Sequence, residues 1–298
     1  MLDPRRLAVL REFAARGTIA AAADALAFTP SAVSQQLAQL QREAGVALLR
    51  KVGRRLELTD AGRTLVARAD ELLARIEEID AELAAHSEEV AGTVRIGAFQ
   101  TASSAVVLPA LANLAERHPR LRVELFEAVA EESLPLLVRG GVDVAIAEEY
   151  EHAPRPRDPQ LHREYLPPDE MLLALPRDHP AAKRSAPVAL ASLHATEWVA
   201  AHTGTAFGDM FARVCRSVGG FEPRIRHRVN EMQLLLDVVA AGVAAALVPA
   251  LGRPEREPGV AVRRIAEGHV TRALFVAVRA SDRSRPSTAA VVAALSGR

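Results

Sequence analysis

Residues 17–42 read GTIAAAADALAFTPSAVSQQLAQLQR, a pattern that predicts two short helices joined by a tight turn. The first helix is the alanine-rich run from Ile19 to Leu26, whose residues have high helix propensity. Thr29 and Pro30 mark the start of the second helix. A threonine side chain can cap the first free amides, and proline is accepted at the first helical position because no donor is needed there.

The second helix has two unlike faces. At 100° per residue, Val33, Leu37 and Leu40 form one apolar stripe that packs the helix. The residues opposite or beside that stripe are Ser31, Ser34, Gln35, Ala38 and Arg42. Such a small, hydrogen-bonding face is what entry into a DNA major groove needs, because serine, glutamine and arginine can contact base edges. The same face also fits a helical hairpin whose polar side only meets water.

A basic segment follows this helix. Its cations are Arg50, Lys51, Arg54 and Arg55, which surround Gly53. Apolar residues flank the segment on both sides, so it predicts a short hairpin, or wing, that carries phosphate contacts. A run of charges is usually only a solvated face, but its position directly after a groove-sized helix favours DNA binding.

At this point the sequence resembles the LysR-type transcriptional regulators, in an ungapped register over about forty-five residues. The matching residues are Phe13, Gly17, Thr18, Ala22, Ala23, Leu26, residues 32–37, Leu40, Gly45, Val46, Leu48 and residues 58–62. The resemblance implies a winged helix-turn-helix that contacts DNA through Thr18, Pro30, Ser31, Ser34, Gln35, Arg50, Lys51, Arg54 and Arg55. The chain departs from the family pattern at residues 30–31, at Gln35 and at residues 48–51. The resemblance therefore carries over the docking mode but not the base preference.

The length of 298 residues suits two or three domains, and a hydrophobic fraction of 49% is ample for folded cores. The net charge is zero, but the charge is unevenly placed. Residues 1–59 hold nine Lys and Arg against five Asp and Glu, whereas residues 60–90 hold three against nine. The basic end is thus the end with the groove helix.

The single cysteine, Cys215, excludes a disulfide within one chain and fits a reducing cytoplasm. We interpret it as a core residue of the helix after Phe207 rather than as a redox sensor. No signal peptide opens the chain, and no apolar run reaches the length of a membrane span. We therefore expect a cytoplasmic protein that makes no membrane contact.

A long helix is predicted to begin at Thr59 and to end near Ala85. Its apolar seam has a period of 3.5 residues and consists of Gly62, Leu65, Ala69, Leu72, Ile76, Ile79 and Leu83. We interpret residues 60–85 as a coiled-coil homodimerisation helix, the alternative being packing on the chain's own domain. Residues 87–92 form the predicted hinge. Two copies would set two groove helices against a two-fold DNA site, and the family resemblance further implies a homotetramer.

From Thr93 onward, apolar strands alternate with helices, which predicts a parallel α/β sheet. The predicted strands are residues 94–96, 121–126, 142–147, 171–175, 197–200, 224–229, 244–248 and 273–278. The predicted helices are residues 103–117, 134–139 and 287–295, with others after Thr205, Glu231 and Pro249. The last strand and helix are expected to return to the first set.

The resemblance implies a two-lobed, periplasmic-binding-protein-like effector domain. The expected division is a winged helix-turn-helix at residues 1–59, a linker helix and hinge at 60–92, and an effector domain at 93–298. Lobe I would comprise residues 93–164 and 270–298, and lobe II residues 165–269.

Ligands of such sheets bind beyond the carboxyl ends of strands, near helix N-termini. That rule selects Gln100, Thr101, Ser103, Glu148, His202, Thr203 and Asn230 as effector-binding residues. Helix capping explains the hydroxyls of Ser103 and Thr205 equally well. The expected ligand is an unidentified small-molecule co-inducer. Helix amides favour an anion whereas Glu148 and Glu149 oppose one, so an amino-bearing or zwitterionic molecule is consistent with both.

Nothing in the sequence assembles a catalytic, metal or resident-cofactor site. The nine histidines lack metal-ligand spacing, and no GxGxxG, P-loop or GxSxG motif is present in its expected context. Asp143 is interpreted as a strand-entry residue rather than a general base. The leading hypothesis is a ligand-responsive transcription factor. The alternative is a solute-binding α/β module whose helical N-terminus only mediates assembly.

Overall fold

The structure is a computed structural model that describes residues 1–26, 28–53, 55–85, 90–151, 154–183 and 185–297. The chain divides into two units, Met1–Ala84 and Ala85–Arg298. Each unit has its own hydrophobic core.

Three helices build the core of the first unit, namely α1 (Pro4–Arg16), α2 (Ile19–Leu26) and α3 (Pro30–Ala44). The predicted caps form, since the Thr29 hydroxyl accepts a hydrogen bond from the Ala32 amide at 3.1 Å. The end of α3 is also determined by a local residue, because Gly45 adopts a left-handed backbone with φ 69°, which residues with a side chain disfavour. Leu10, Phe13 and Leu40 are buried where the three helices meet.

A hairpin and a long helix complete this unit. Strands β1 (Leu49–Val52) and β2 (Arg55–Leu58) pair antiparallel, which confirms the predicted wing. Helix α4 (Asp60–Ala85) follows, and the Thr59 hydroxyl accepts from the Gly62 amide at 3.0 Å. A Cβ atom at Gly62 would lie 2.2 Å from the Leu48 carbonyl oxygen. The start of α4 is therefore packed tightly against the segment that leads into the wing.

The apolar seam of α4 divides into two parts. Ala69 is buried in the core of the first unit, and Leu65 packs against the same core. Further along, Leu72, Ile79 and Leu83 are exposed to 46%, 47% and 65%. Packing on the chain's own domain thus accounts for the first part of the seam but not for the second.

The described residues of the second unit form strands β3 (Gly92–Ala98), β4 (Leu121–Glu127), β5 (Val144–Tyr150), β6 (Leu161–Tyr165), β7 (Asp169–Pro176), β8 (Glu197–Ala200), β9 (Arg224–Arg228), β10 (Ala246–Pro249), β11 (Val260–Arg263) and β12 (Thr271–Arg279). Eight of them form a mixed sheet with the spatial order β10-β7-β12-β5-β3-β4, in which β6 also pairs with β12 and β11 with β7. Strands β8 and β9 form a separate parallel pair.

The helices of this unit pack on the sheets. They are α5 (Gln100–Ala102), the π-helical turn Ser103–Val107 with α6 (Leu108–Arg117), α7 (Ala130–Val138), α8 (Ala206–Ser217), α9 (Met232–Ala240) and α10 (Pro286–Leu295). Strand β12 pairs with β5, and α10 packs in the core beside β3, so the final strand and helix return to lobe I as predicted. Cys215 is fully buried in the lobe II core, and burial raises the pKa of its thiol to about 12.

Several details of the sequence prediction are wrong. The sheet is not purely parallel, because β12 enters it antiparallel to β5, β6 and β7. The helix predicted after Pro249 is only a 3₁₀ turn at Ala250–Gly252, which ends at Arg253 with its left-handed φ of 50°. Strands β6 and β11 were not predicted, since β6 is largely polar and lacks a clear apolar alternation. Residues 87–89 of the predicted hinge lie outside the described residues.

Asp143 has a structural environment that agrees with a strand-entry role. Its carboxylate accepts hydrogen bonds from the Arg95 amide at 2.8 Å and from the Arg95 guanidinium at 3.1 Å. Arg279 lies 3.4 Å away on β12. These charge-assisted contacts tie β3, β5 and β12 together at the edge where β5 begins.

Candidate DNA interface and effector cleft

The polar face of α3 is open to solvent. Val33 and Leu37 are buried on the opposite side, so the apolar stripe packs the helix and leaves the polar face uncovered. Thr18 is also exposed, and its hydroxyl accepts a hydrogen bond from the Ala21 amide at 3.2 Å. That hydroxyl keeps its own hydrogen for another acceptor. The exposed residues of the α3 face are Pro30, Ser31, Ser34 and Gln35.

The wing presents cations beside this helix in the same unit. Arg50, Lys51 and Arg55 are all exposed on β1 and β2. Arg50 lies 3.6 Å from Glu57 across the hairpin, but both side chains remain largely solvated, so the pair holds Arg50 only weakly. Arg54 lies outside the described residues.

Two side chains that the sequence prediction missed position these elements. The Gln41 side-chain oxygen accepts from the Leu48 and Leu49 amides, each at 3.0 Å, and so ties α3 to the first strand of the wing. The Arg6 guanidinium binds Gln36 at 3.0 Å and thereby joins α1 to α3. The local sequence does not predict these contacts of Gln41 and Arg6, because a polar side chain on the flank of a helix is usually solvated.

On the lobe I side of the predicted cleft, the residues after β3 already have partners. Gln100 reaches lobe II, where its amide nitrogen donates to Glu231 at 2.7 Å and its oxygen accepts from the Met232 amide at 3.1 Å. The buried Thr101 hydroxyl accepts from Arg272 at 2.8 Å. The Ser103 hydroxyl donates to the Ala98 carbonyl at 3.2 Å and caps no helix.

On the lobe II side, the structure brings His202 and Asn230 together. The His202 amide donates to the Asn230 side-chain oxygen at 2.8 Å. Thr205 caps α8, since its hydroxyl accepts from the Gly208 amide at 3.1 Å, so capping explains that residue. Thr203 is exposed on the turn between His202 and Thr205.

Glu148 differs from its predicted place. The sequence puts it beyond the end of the third strand, whereas β5 continues through it to Tyr150, whose side chain is buried in the lobe II core. Glu148 is only 5% exposed, and its Oε2 atom has no hydrogen-bond partner among the described residues. Burial raises the pKa of Glu148, and the nearby guanidinium groups of Arg272 and Arg155 offset that effect only in part.

Glu131 and Arg155 were not selected from the sequence, yet Glu131 joins the lobes and Arg155 holds its carboxylate. Glu131 Oε1 accepts from the Ala206 amide of α8 at 3.0 Å and from Arg155 at 2.7 Å. Burial alone would raise the pKa of Glu131, but the hydrogen bonds from Arg155 and Ala206 leave it below its usual value. The acidic first turn of α7 looks like an ordinary solvated helix start, so only the tertiary structure identifies this contact.

A cavity of about 190 Å³ lies where Gln100 meets the start of α9. Both lobes contribute polar and apolar residues to its lining, which includes Gln100, Thr101, Met232, Leu251 and the cationic Arg253. In the described part of the chain, no three His, Cys, Asp or Glu side chains are grouped so as to hold a metal ion. No helix there combines the length and apolar character needed to cross a bilayer.

Two family models match the chain. Residues 4–63 match the model described as "Bacterial regulatory helix-turn-helix protein, lysR family". Residues 87–298, well over half of the chain, match the model described as "LysR substrate binding domain". The chain belongs to the LysR family. It is therefore a DNA-binding transcriptional regulator with an effector-binding domain.

Named relatives of this LysR-type regulator are themselves regulators. The TtuA regulator of Agrobacterium vitis is 26% identical over 234 residues, covering 76% of this chain and 74% of that protein. A probable hydrogen peroxide-inducible genes activator of Mycobacterium leprae is 30% identical over 254 residues, covering 83% of this chain and 79% of that protein.

Solved structures share the fold of this LysR-type regulator. A full-length OxyR variant from Pseudomonas aeruginosa is 17% identical with a TM-score of 0.75, covering 99% of this chain and 95% of that one. Full-length CbnR in complex with its target DNA is 25% identical with a TM-score of 0.58, covering 99% of this chain and 98% of that one.

Proposed function

We propose that this regulator reads a promoter through the exposed face of α3 and holds the DNA backbone through its wing. The supporting observation is that Ser31, Ser34 and Gln35 are exposed on α3, whose opposite side is buried through Val33, Leu37 and Leu40. Base edges would be contacted from that face, and phosphates by Thr18, Arg50, Lys51, Arg54 and Arg55. The protein would act in the cytoplasm, where promoter DNA lies.

A small-molecule effector binds between the two lobes in this proposal. Gln100 and Glu131 each extend from lobe I to a helix N-terminus of lobe II, so a ligand there can change the contacts between the lobes. The residues proposed to line the site are Gln100, Thr101, Ser103, Glu148, His202, Thr203 and Asn230. A ligand that favours one arrangement of the lobes shifts the population of states, and thereby alters DNA binding.

The exposed part of the α4 seam supports homodimerisation through residues 60–85. Leu72, Ile79 and Leu83 lie on one stripe and are exposed in the single chain. A second copy of α4 would bury them and bring two α3 helices to a two-fold site. Pairing of such dimers would produce the homotetramer.

Fluorescence anisotropy with the DNA upstream of the protein's own coding region tests the DNA proposal. Binding should exceed that to scrambled DNA and fall steeply between about 50 and about 200 mM salt. Replacing Arg50, Lys51 and Arg55 by glutamine should lower the slope of log affinity against log salt by about 0.9 for each lost phosphate contact.

The matched control replaces Arg224 and Arg226, which are exposed on β9, by glutamine. It should leave the salt slope unchanged. Equal effects of both sets, or none from the wing set, would favour the alternative in which the N-terminal helices only mediate assembly.

Sedimentation of the full chain tests the dimer. Ile79→Asp combined with Leu83→Asp places charge in the exposed seam and should convert dimer to monomer. Ala67→Asp, which is exposed but off the seam, should leave the dimer intact. A dimer that survives the seam substitutions would exclude α4 as the interface.

A further inference from the structure

The N-termini of α8 and α9 already bind carboxylates of the protein's own side chains. The N-terminus of α8 receives the Glu131 carboxylate, through the Ala206 amide at 3.0 Å. The N-terminus of α9 receives the Glu231 carboxylate, which accepts from the Gln233 amide at 3.0 Å and from the Leu234 amide at 2.6 Å. A helix N-terminus attracts an anion because its amides are free. In this chain the Ala206, Gln233 and Leu234 amides already donate to Glu131 and Glu231.

The two arginines of the cleft floor are likewise committed. The Arg272 side chain is 4% exposed and lies 2.7 Å from the Asp169 carboxylate, while it also donates to Thr101. Arg155 donates to the Glu131 carboxylate at 2.7 Å and to the Glu148 main-chain carbonyl at 2.6 Å. Each of these cations therefore faces an anionic side chain closer to it than Glu148 is.

Among the described residues, Glu131 and Glu148 each have a buried Oε2 atom without a hydrogen-bond partner, but Glu131 accepts through its Oε1 atom whereas the Glu148 carboxylate accepts no hydrogen bond at all. Its Oε1 atom is 3.9 Å from Arg155 Nη2, the same nitrogen that lies 2.7 Å from Glu131. Its Oε2 atom is buried without a hydrogen-bond partner among the described residues. A buried carboxylate oxygen that accepts nothing is costly, so the site demands a hydrogen-bond donor. The Glu148 carboxylate, which lacks a donor, lies beside the Glu131 contact that joins the two lobes.

We propose that the effector is an organic cation of the ammonium class, whose N–H groups donate to the Glu148 carboxylate between the lobes. This inference rests on the proposed effector role of the cleft. An ammonium ion supplies both what Glu148 lacks, namely N–H donors and a compensating positive charge. A dicarboxylate would meet the Glu131 and Glu148 carboxylates, and the arginines nearest to them, Arg155 and Arg272, are already paired. Opening of the lobes admits the ligand, because Glu148 is enclosed when Gln100 and Glu131 reach across.

Thermal unfolding of the full chain with ethylammonium chloride, at constant ionic strength, tests this proposal. Ethylammonium should raise the unfolding temperature saturably, with a half-maximal concentration on the order of 10 mM for so small a ligand. Sodium acetate should give no saturable shift. In Glu148→Gln the ethylammonium affinity should fall at least about tenfold, because the amide keeps the shape but removes the charge.

The matched control is Glu151→Gln, which removes the same charge from an exposed position on the same segment. It should bind ethylammonium as the unaltered chain does. The unfolding temperature of each variant without ligand shows that it is folded. The proposal is overturned if ethylammonium gives no saturable shift, if Glu148→Gln binds it equally well, or if acetate alone binds saturably.

Anisotropy with upstream DNA on the same preparations separates this proposal from the proposed function. DNA binding without ethylammonium binding would overturn the cation inference alone. Ethylammonium binding that depends on Glu148, in a chain without DNA binding, would leave the cation site standing and remove the regulatory role.

Discussion

The buried pair of Asp169 and Arg272 sits where the chain crosses between the lobes. Both side chains are almost fully buried, at 3% and 4% exposure, and their atoms approach to 2.7 Å. Asp169→Asn should lower the free energy of unfolding by about 3–5 kcal/mol, because it leaves the Arg272 charge buried without its carboxylate partner. Urea denaturation followed by fluorescence of Trp198, the single and fully buried tryptophan, measures the loss.

The solvated pair of Arg216 and Glu222 is the control for that measurement. Its side chains are 52% and 68% exposed, so Glu222→Gln should change stability by no more than about 1 kcal/mol. Similar losses for both substitutions would mean that burial does not decide the contribution of these pairs.

The pKa of Glu148 predicts a pH dependence. Burial raises this pKa above its ordinary 4.5, so folding favours the protonated carboxyl. That contribution is fully present below the ordinary value and is lost as the pH rises through the folded value. Glu148→Gln has no such loss, so its unfolding temperature should gain on that of the unaltered chain as the pH rises above 4.5. A constant difference across this range would contradict the burial argument.

At the scale of elements, the close approach of α4 to the segment before the wing limits one position. Alanine normally stabilises a helix interior over glycine by about 0.5–1 kcal/mol. At Gly62 a Cβ would meet the Leu48 carbonyl oxygen at 2.2 Å, so Gly62→Ala should instead destabilise the first unit by about 1–3 kcal/mol. It should also weaken DNA binding by displacing the wing.

Thermal unfolding and DNA anisotropy measure these two effects. The control is Ala67→Gly, at an exposed position one turn or more along α4, which should cost only the helix propensity of about 1 kcal/mol and leave DNA affinity unchanged. A Gly62→Ala variant that is more stable than the unaltered chain would show that the two segments can separate freely.

At the scale of the whole effector-binding unit, Glu131 and Gln100 hold the lobes together at two separate helix N-termini. Glu131→Gln removes the charged acceptor of the Ala206 amide and should speed hydrogen exchange in the first turn of α8 by roughly tenfold. Exchange at the first turn of α9, which Gln100 contacts, should remain slow. Glu132→Gln, the exposed neighbour, is the control, and equal exchange in the two variants would exclude Glu131 as a link between lobes.

How much of the structure the sequence predicts depends on how far apart in the chain the interacting residues lie. The α3 boundaries, the wing and the start of α4 depend on partners a few residues apart, such as the Thr29 and Thr59 caps, so the local pattern was enough to predict them. The same holds for the apolar stripe of α3. The effector residues remain predictions. Their actual partners lie far along the chain, since Gln100 and Glu231 are 131 residues apart and Glu131 and Ala206 are 75 apart.

No periodicity or capping signal encodes such pairs, because each depends on how two lobes meet. The antiparallel entry of β12 and the burial of Glu148 have the same origin, since both arise when the chain returns from lobe II and closes over the end of β5. Local propensity and apolar spacing therefore predicted α3, the wing, α4 and most later elements, while the resemblance at residues 13–62 indicated the family that the two family models show. Packing between distant segments established which cleft groups are satisfied and left the Glu148 carboxylate without a donor.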